Sequence, residues 1–142
     1  MSSVRFLFVY GTLQSDFTRN RFARRLQREG ILMGRAKIPG RLYGLKRYPG
    51  LRPAQNAQDW VYGEVYRLLR PAATLAVLDA YEDSAYRRVL RTVILEDSRQ
   101  IRCWVYLFST PLPRHRQIAS GSWRGLPGRQ RRQSWRRFRP IK

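Results

Sequence analysis

The sequence predicts an α+β domain in which a curled β-sheet is covered by peripheral helices. The stretches VRFLFVY at 4–10 and IRCWVYLF at 101–108 are apolar on both faces, so each reads as a strand buried on both sides rather than half exposed. Such strands need a layer on each side, or a barrel interior with helices outside. Residues 31–54 are strand-like but repeatedly interrupted by Gly and Pro, which suits a sheet that bends and closes better than a flat one. Two further stretches, one ending at Glu29 and one opening at Pro71, carry helix signals.

Along the first strand Val4, Phe6, Phe8 and Tyr10 alternate with Leu7 and Val9, and the strand stops on Gly11-Thr12. A buried strand ending in Tyr-Gly-Thr presents backbone N–H groups at the rim of a core, with a glycine that permits positive φ. Asp16 or Thr18 is suited to cap the first helix, whose apolar stripe is Phe22, Ala23 and Leu26. Arg19, Arg21, Arg24, Arg25 and Arg28 surround that stripe as a solvated face, and Gly30 suits a left-handed helix end. Gly34, Pro39, Gly40, Gly44, Pro49 and Gly50 divide Ile31–Ala54 into short, sharply bent extended segments. WVYGEVYRL at 60–68 is a strand, with Tyr62, Glu64, Tyr66 and Leu68 against Val61, Gly63, Val65 and Arg67. Pro71 fits the first turn of a helix over Ala72–Tyr81 that packs through Leu75, Val77 and Leu78, with Glu82 and Asp83 just past its end. Arg88–Glu96 and Ile101–Phe108 form a hairpin through 97–100.

Composition bounds the function. At 142 residues the chain is one domain's worth, and 43% hydrophobic content excludes a wholly disordered protein. Cys103 and His115, the single cysteine and histidine, cannot form a disulfide or a His/Cys zinc site, and no paired-carboxylate motif suggests a magnesium or calcium cage. A Cys103–His115 nucleophilic pair is disfavoured, because Cys103 sits mid-strand and His115 lies in an Arg- and Pro-rich loop. The apolar start is too short for a membrane span. The expectation is a soluble, reduced, cytoplasmic protein without metal or cofactor. Net charge is +20, and residues 124–142 hold eight basic residues and no acidic one, which leaves 1–123 with 21 basic against nine acidic. The chain therefore divides into a domain at 1–123 and an Arg-rich tail at 124–142. The tail, with Trp135 and Phe138 among its arginines, suits weak binding of RNA or another polyanion.

The segments VYGTL at 9–13, YPGL at 48–51, GEVYRL at 63–68 and LDAYEDSAYRR at 78–88, with IASGSW at 118–123 as a fifth, stand in order. Together they resemble the gamma-glutamylcyclotransferase-like family, in particular its small bacterial and gamma-glutamylamine-cyclotransferase-like members, over roughly residues 4–123. The resemblance implies a compact mixed β-barrel with peripheral helices. It also implies an enzyme that cyclises the gamma-glutamyl group of a small molecule to 5-oxoproline and releases the attached amine or amino acid. It places the glutamyl moiety on the loop matching Tyr10, Gly11, Thr12 and Leu13, and makes the glutamate matching Glu82 the base. Asp83 stands where the family more often has a small residue such as Gly.

The chemistry fits those residue types. The substrate's α-amine attacks its own δ-carbonyl, so the protein needs no nucleophile of its own, and tethering supplies much of the rate. One carboxylate suffices to take the ammonium proton and return one to the leaving amine. Two carboxylates compete for that role. Glu64, mid-strand between Tyr62 and Tyr66, suits a buried partner for Arg; Glu82, at a helix-to-loop junction, has the better reach to a cavity mouth. Tyr106 is a candidate cavity hydroxyl and equally a core tyrosine. Tyr86 and Arg87 follow Glu82 closely enough to orient it, and Pro49-Gly50 allows backbone to approach a ligand. Asp79 suits its own helix-end loop. The alternative from another class is a non-catalytic basic barrel that binds nucleic acid or another polyanion; an enclosed cavity shared by Glu82 and the Gly11–Leu13 backbone discriminates in favour of the enzyme. Truncation after Arg124 is expected to leave the melting temperature unchanged and to weaken polyanion binding, measured by thermal melts and by salt-dependent RNA binding. A marked loss of stability instead would mean that the tail packs on the domain.

Overall fold

The computed structural model describes residues 4–45, 48–82 and 84–123. Asp83 and the tail at 124–142, with the expectations attached to them, lie outside the described residues. Five strands close a barrel in the order β1 (Phe6–Val9), β5 (Trp60–Leu68), β2 (Gly30–Pro39), β6 (Tyr86–Leu95) and β7 (Gln100–Phe108). All its pairings are antiparallel except that of β1 with β7, which run parallel with Leu7 beside Trp104. A smaller sheet orders β4 (Pro49–Arg52), β3 (Arg41–Gly44) and β8 (Gln117–Ile118). Helices α1 (Arg21–Glu29) and α2 (Pro71–Tyr81) complete the α+β fold.

Double-sided burial of β1 follows from this arrangement. Phe8 and Tyr10 join Val61, Val65, Val93, Cys103 and Val105 in one apolar cluster, to which the small sheet adds Leu42, Leu51 and Ile118. Leu7 and Val9, on the other face, join Leu26 of α1 and Leu75 and Leu78 of α2, together with Tyr66, Leu68 and Tyr106. Each fully buried Leu, Val or Phe contributes about 1.5–3 kcal/mol, so β1 stabilises the barrel interior and the helix layer at once. β5 and β7 divide their side chains between the same two clusters.

Four expectations are corrected. The cap of α1 is Asn20, which accepts from the N–H groups of Phe22 and Ala23, rather than Asp16 or Thr18. Those two residues lie within a run of turns, from Gln14 N–H to the Gly11 carbonyl and on to Asn20 N–H and the Phe17 carbonyl, that delays the helix. Gly30 is extended rather than left-handed, with φ −142°, because it already belongs to β2 and pairs with Leu68. β2 then runs ten residues without a break. Gly34, at φ +134°, accommodates a bulge between Leu32 and Gly34 instead of ending the strand. Finally, β6 begins at Tyr86, two residues before the expected Arg88.

No helix among the described residues is long and apolar enough to cross a membrane. Cys103 is fully buried in the barrel, and burial pushes its thiol up to about 12, while His115 is exposed in the short 3-10 turn Arg114–Arg116. A tight crossing lies at Gly63, where a Cβ would collide with the Val9 carbonyl and sit 2.9 Å from the Phe8 ring. Gly63→Ala is expected to cost about 3 kcal/mol, the upper end of ordinary overpacking, because the obstacle is backbone. Urea denaturation checks it, and an unchanged midpoint would contradict this packing.

Candidate active site

A cavity of about 120 Å³ opens where β1 ends, lined by the turn Tyr10–Leu13, by Tyr48 and Pro49, by Tyr81 and Glu82, and by Tyr86 and Tyr106, with Phe8 and Val9 behind them. Tyr10 is the last buried residue of the first strand segment. Its hydroxyl donates to the Tyr106 carbonyl at 2.6 Å and accepts from the Leu51 N–H at 3.2 Å, so it joins β1, β4 and β7 under the cavity. Burial, with smaller contributions from Tyr86 and the charge of Glu82, holds its phenol well above the ordinary tyrosine value, and it stays neutral as a donor.

The turn that follows is packed rather than strained. Gly11 has no positive φ; its missing side chain makes room for the Pro49 ring, whose Cγ would stand 2.9 Å from a Cβ. Gln14 closes the turn, its backbone N–H and its side-chain amide both reaching the Gly11 carbonyl at 3.1 Å. Leu13 anchors the turn in the helix-side core. The N–H groups of Gly11, Thr12 and Leu13 donate to no other described residue, which leaves a row of donors at the cavity. Below it, the Glu64 carboxylate accepts from Ser15 N–H and Ser15 Oγ, each at 2.7 Å. Buried Glu64 therefore staples the loop after the turn, and it does not line the cavity.

The opposite wall comes from the end of α2. Glu82 caps this helix, its N–H bonded to the Leu78 carbonyl at 2.9 Å, and its side chain is half-buried at the cavity. Its negative charge is close enough to the hydroxyls of Tyr10 and Tyr106 to help raise both phenols. Tyr81 stacks on Phe22 of α1 with ring centres 4.0 Å apart and accepts from the Asn20 amide at 3.3 Å. Tyr86 donates to the Pro49 carbonyl at 2.8 Å. Burial is the main cause that keeps the Tyr106 phenol protonated, and its hydroxyl donates to Asp79 at 2.7 Å.

Thus Tyr10, Gly11, Thr12, Leu13, Pro49, Glu82, Tyr86 and Tyr106 meet at one cavity, and Gly50 does not. Gly50 faces away, where a Cβ would lie 3.0 Å from Phe108, so its role is to seat the small sheet on β7. Tyr48 and Tyr81 were missed as lining residues, although each adjoins a named one in the segments YPGL and LDAYEDSAYRR. Asp79 was read as serving its own helix end, whereas it bonds across to β6 and β7. Among the described lining residues Glu82 is the one carboxylate. The arrangement can hold an anionic or developing-anion oxygen on one side and move a proton on the other.

The family model for AIG2-like gamma-glutamyl cyclotransferase matches residues 7–125. Among solved structures, the chain is similar to YkqA from Bacillus subtilis, with 21% identity and a TM-score of 0.67 over 87% of this chain; it spans 40% of that protein's length. It is also similar to an uncharacterised protein from Pyrococcus horikoshii, with 19% identity and a TM-score of 0.63 over 93% of this chain and 98% of that one. An AIG2-like protein from Mus musculus shares 26% identity and a TM-score of 0.60 over 79% of this chain and 82% of that one. No curated protein matches in sequence.

Tyr10→Phe removes the hydroxyl from the bridge and leaves the Leu51 N–H and Tyr106 carbonyl without it. A loss of about 1–3 kcal/mol is expected, the cost of a buried group left unpaired. Urea denaturation with an unchanged slope checks it.

Proposed function

This chain belongs to the AIG2-like gamma-glutamyl cyclotransferase family, and from that premise we propose that it cyclises the gamma-glutamyl group of a small gamma-glutamyl amine or amide to 5-oxoproline. The observation that carries the reading is the pairing of one carboxylate, Glu82, with the undonated N–H groups of Gly11–Leu13 in a single cavity. The cavity has room for a compact glutamyl group, and the attached amine extends toward solvent past the exposed Tyr48.

Glu82 takes a proton from the substrate's α-ammonium group. The freed nitrogen attacks the δ-carbonyl carbon, forming the ring N–C bond and placing the electron pair on oxygen. The Gly11–Leu13 N–H groups hold either that oxyanion or the substrate's α-carboxylate. The oxyanion collapses, and the bond to the leaving amine breaks as Glu82 returns its proton to that nitrogen. Glu82 then passes on the ring nitrogen's second proton, so that 5-oxoproline is left with a neutral lactam N–H and the amine departs as ammonium. Proximity is the largest contribution, about 7–11 kcal/mol for a well-oriented intramolecular attack. Acid–base catalysis by Glu82 adds about 10²–10⁴-fold. Aromatic walls limit water, which would otherwise compete with the amine. The open cavity supports this reading over the polyanion-binding alternative, which a cavity filled by side chains would favour.

Screening gamma-glutamyl amines and amino acids for 5-oxoproline release tests the reading. Glu82→Gln is expected to lower kcat by about 100-fold or more while substrate still binds, and to remove the acidic limb of the pH–rate profile. Glu64→Gln is expected to act on stability through its Ser15 bonds, with that limb retained. Loss of the limb in the Glu64 variant would move the base to Glu64.

A further inference from the structure

Asp79 stands three residues before Glu82, and its carboxylate is held by side chains from two barrel strands. Arg88 of β6 donates through Nε to Oδ1 at 2.8 Å and through Nη2 to Oδ2 at 3.0 Å, and Tyr106 of β7 donates to Oδ1 at 2.7 Å. Arg88 in turn lies over the Trp104 ring, its guanidinium carbon 4.3 Å from the ring centre. α2 has no side-chain cap at its start and buries only Thr74, Leu75 and Leu78 among its described residues. The Asp79 bonds therefore form a polar link between its final turn and the β6–β7 hairpin.

The groups that face Glu82 come from several elements. They are Tyr10 from the end of β1, Tyr48 before β4, Tyr86 from β6, Tyr106 from β7 and Tyr81 on its own helix. Asp79 and Arg88 connect to this wall through the Tyr106 hydroxyl, whose phenol feels the charges of Asp79, Arg88 and Glu82 alike. Arg87 is exposed on the opposite face of β6. Burial keeps the Tyr10 and Tyr106 phenols neutral, so among the described residues Asp79 and Arg88, in mutual compensation, are the charged pair that Tyr106 links to the wall opposite Glu82. Arg88, and then Tyr106, hold the Asp79 carboxyl below the ordinary carboxylate range. The clamp therefore stays charged through neutral pH and is lost only as pH falls through that lowered value.

We propose that Asp79 and Arg88 are positioning residues for Glu82: their bidentate pair, braced by Tyr106, fixes the last turn of α2 on the barrel and keeps the field at Glu82 balanced. The inference rests on Glu82 as the base. A merely structural ion pair would lose stability in either single variant and would not move Glu82 in opposite directions. The balanced clamp does so. Asp79→Asn keeps an acceptor for Tyr106 but leaves Arg88 uncompensated, which favours ionised Glu82. Arg88→Gln leaves Asp79 uncompensated, which favours protonated Glu82.

The test is a 13C-carboxyl NMR titration of the glutamate-labelled full chain at low ionic strength, with the Glu82 signal assigned by its disappearance in Glu82→Gln. Glu82 is expected to titrate about 0.3 pH unit or more lower in Asp79→Asn, and higher by a similar amount in Arg88→Gln, given partial solvent screening. Arg88→Lys, which keeps the charge, and the double variant are each expected to return it toward the wild-type position. Shifts of the same sign, or no shift in folded variants, overturn the proposal. The acid limb of kcat follows these shifts if the cyclotransferase reading holds. Opposite NMR shifts in a protein that releases no 5-oxoproline would uphold the clamp and overturn that reading, whereas an active wild type with unmoved Glu82 signals would do the reverse.

Discussion

Tyr10 is where the barrel, the small sheet and the cavity meet. Its hydroxyl takes the Leu51 N–H of β4 and gives its proton to the Tyr106 carbonyl of β7, while its ring belongs to the barrel-interior cluster. Both bonds are buried, so neither partner can turn to water instead, and the geometry of the strand end is fixed to within a hydrogen bond. The turn that leaves Tyr10 inherits that rigidity. Pro49 packs against Gly11, Leu13 is held in the helix-side core, and Glu64 grips Ser15 a few residues on. A ligand meets backbone donors that are already in place, and little ordering entropy remains to be lost on binding.

The opposite wall is held differently. Glu82 sits at a helix end rather than on a strand, and that end is placed by apolar packing of Leu75 and Leu78, by the stack of Tyr81 on Phe22, and by Asp79 on Arg88 and Tyr106. The cavity is thus a joint between the barrel rim and the end of a docked helix. Among the described residues, positive charge away from the cavity includes the exposed Arg21, Arg24 and Arg28 of α1.

Much of this was legible in the sequence because burial leaves a mark there. The two-faced apolarity of 4–10 and 101–108 points to strands with structure on both sides, and each has the barrel interior on one face and the helix layer on the other. Glu82 stood out because its helix ends one residue earlier, at Tyr81. What was not legible depended on distant partners. A glycine after a strand suggests positive φ, but the cause at Gly11 is the Pro49 ring, 38 residues away in sequence. Gly50 looked equivalent to Pro49, yet alternation along β4 turns it toward Phe108. Acidic residues before an apolar run are capping signals, but the chain of turns from Gly11 to Asn20 passes Asp16 and Thr18 by. The partners of Glu64 and Asp79 arise from strand register and helix docking, which no local pattern encodes.

The central claim is that one cavity presents backbone donors to the glutamyl group across from Glu82. Titrating 15N-labelled protein with 5-oxoproline reads it directly, because amide shifts report hydrogen bonding residue by residue. The account predicts the largest saturable shifts at the amides of Gly11, Thr12 and Leu13, with smaller ones at Glu82 and Tyr86. Shifts confined to the arginine-rich surface, or saturable binding that leaves the Gly11–Leu13 amides unmoved, would contradict it.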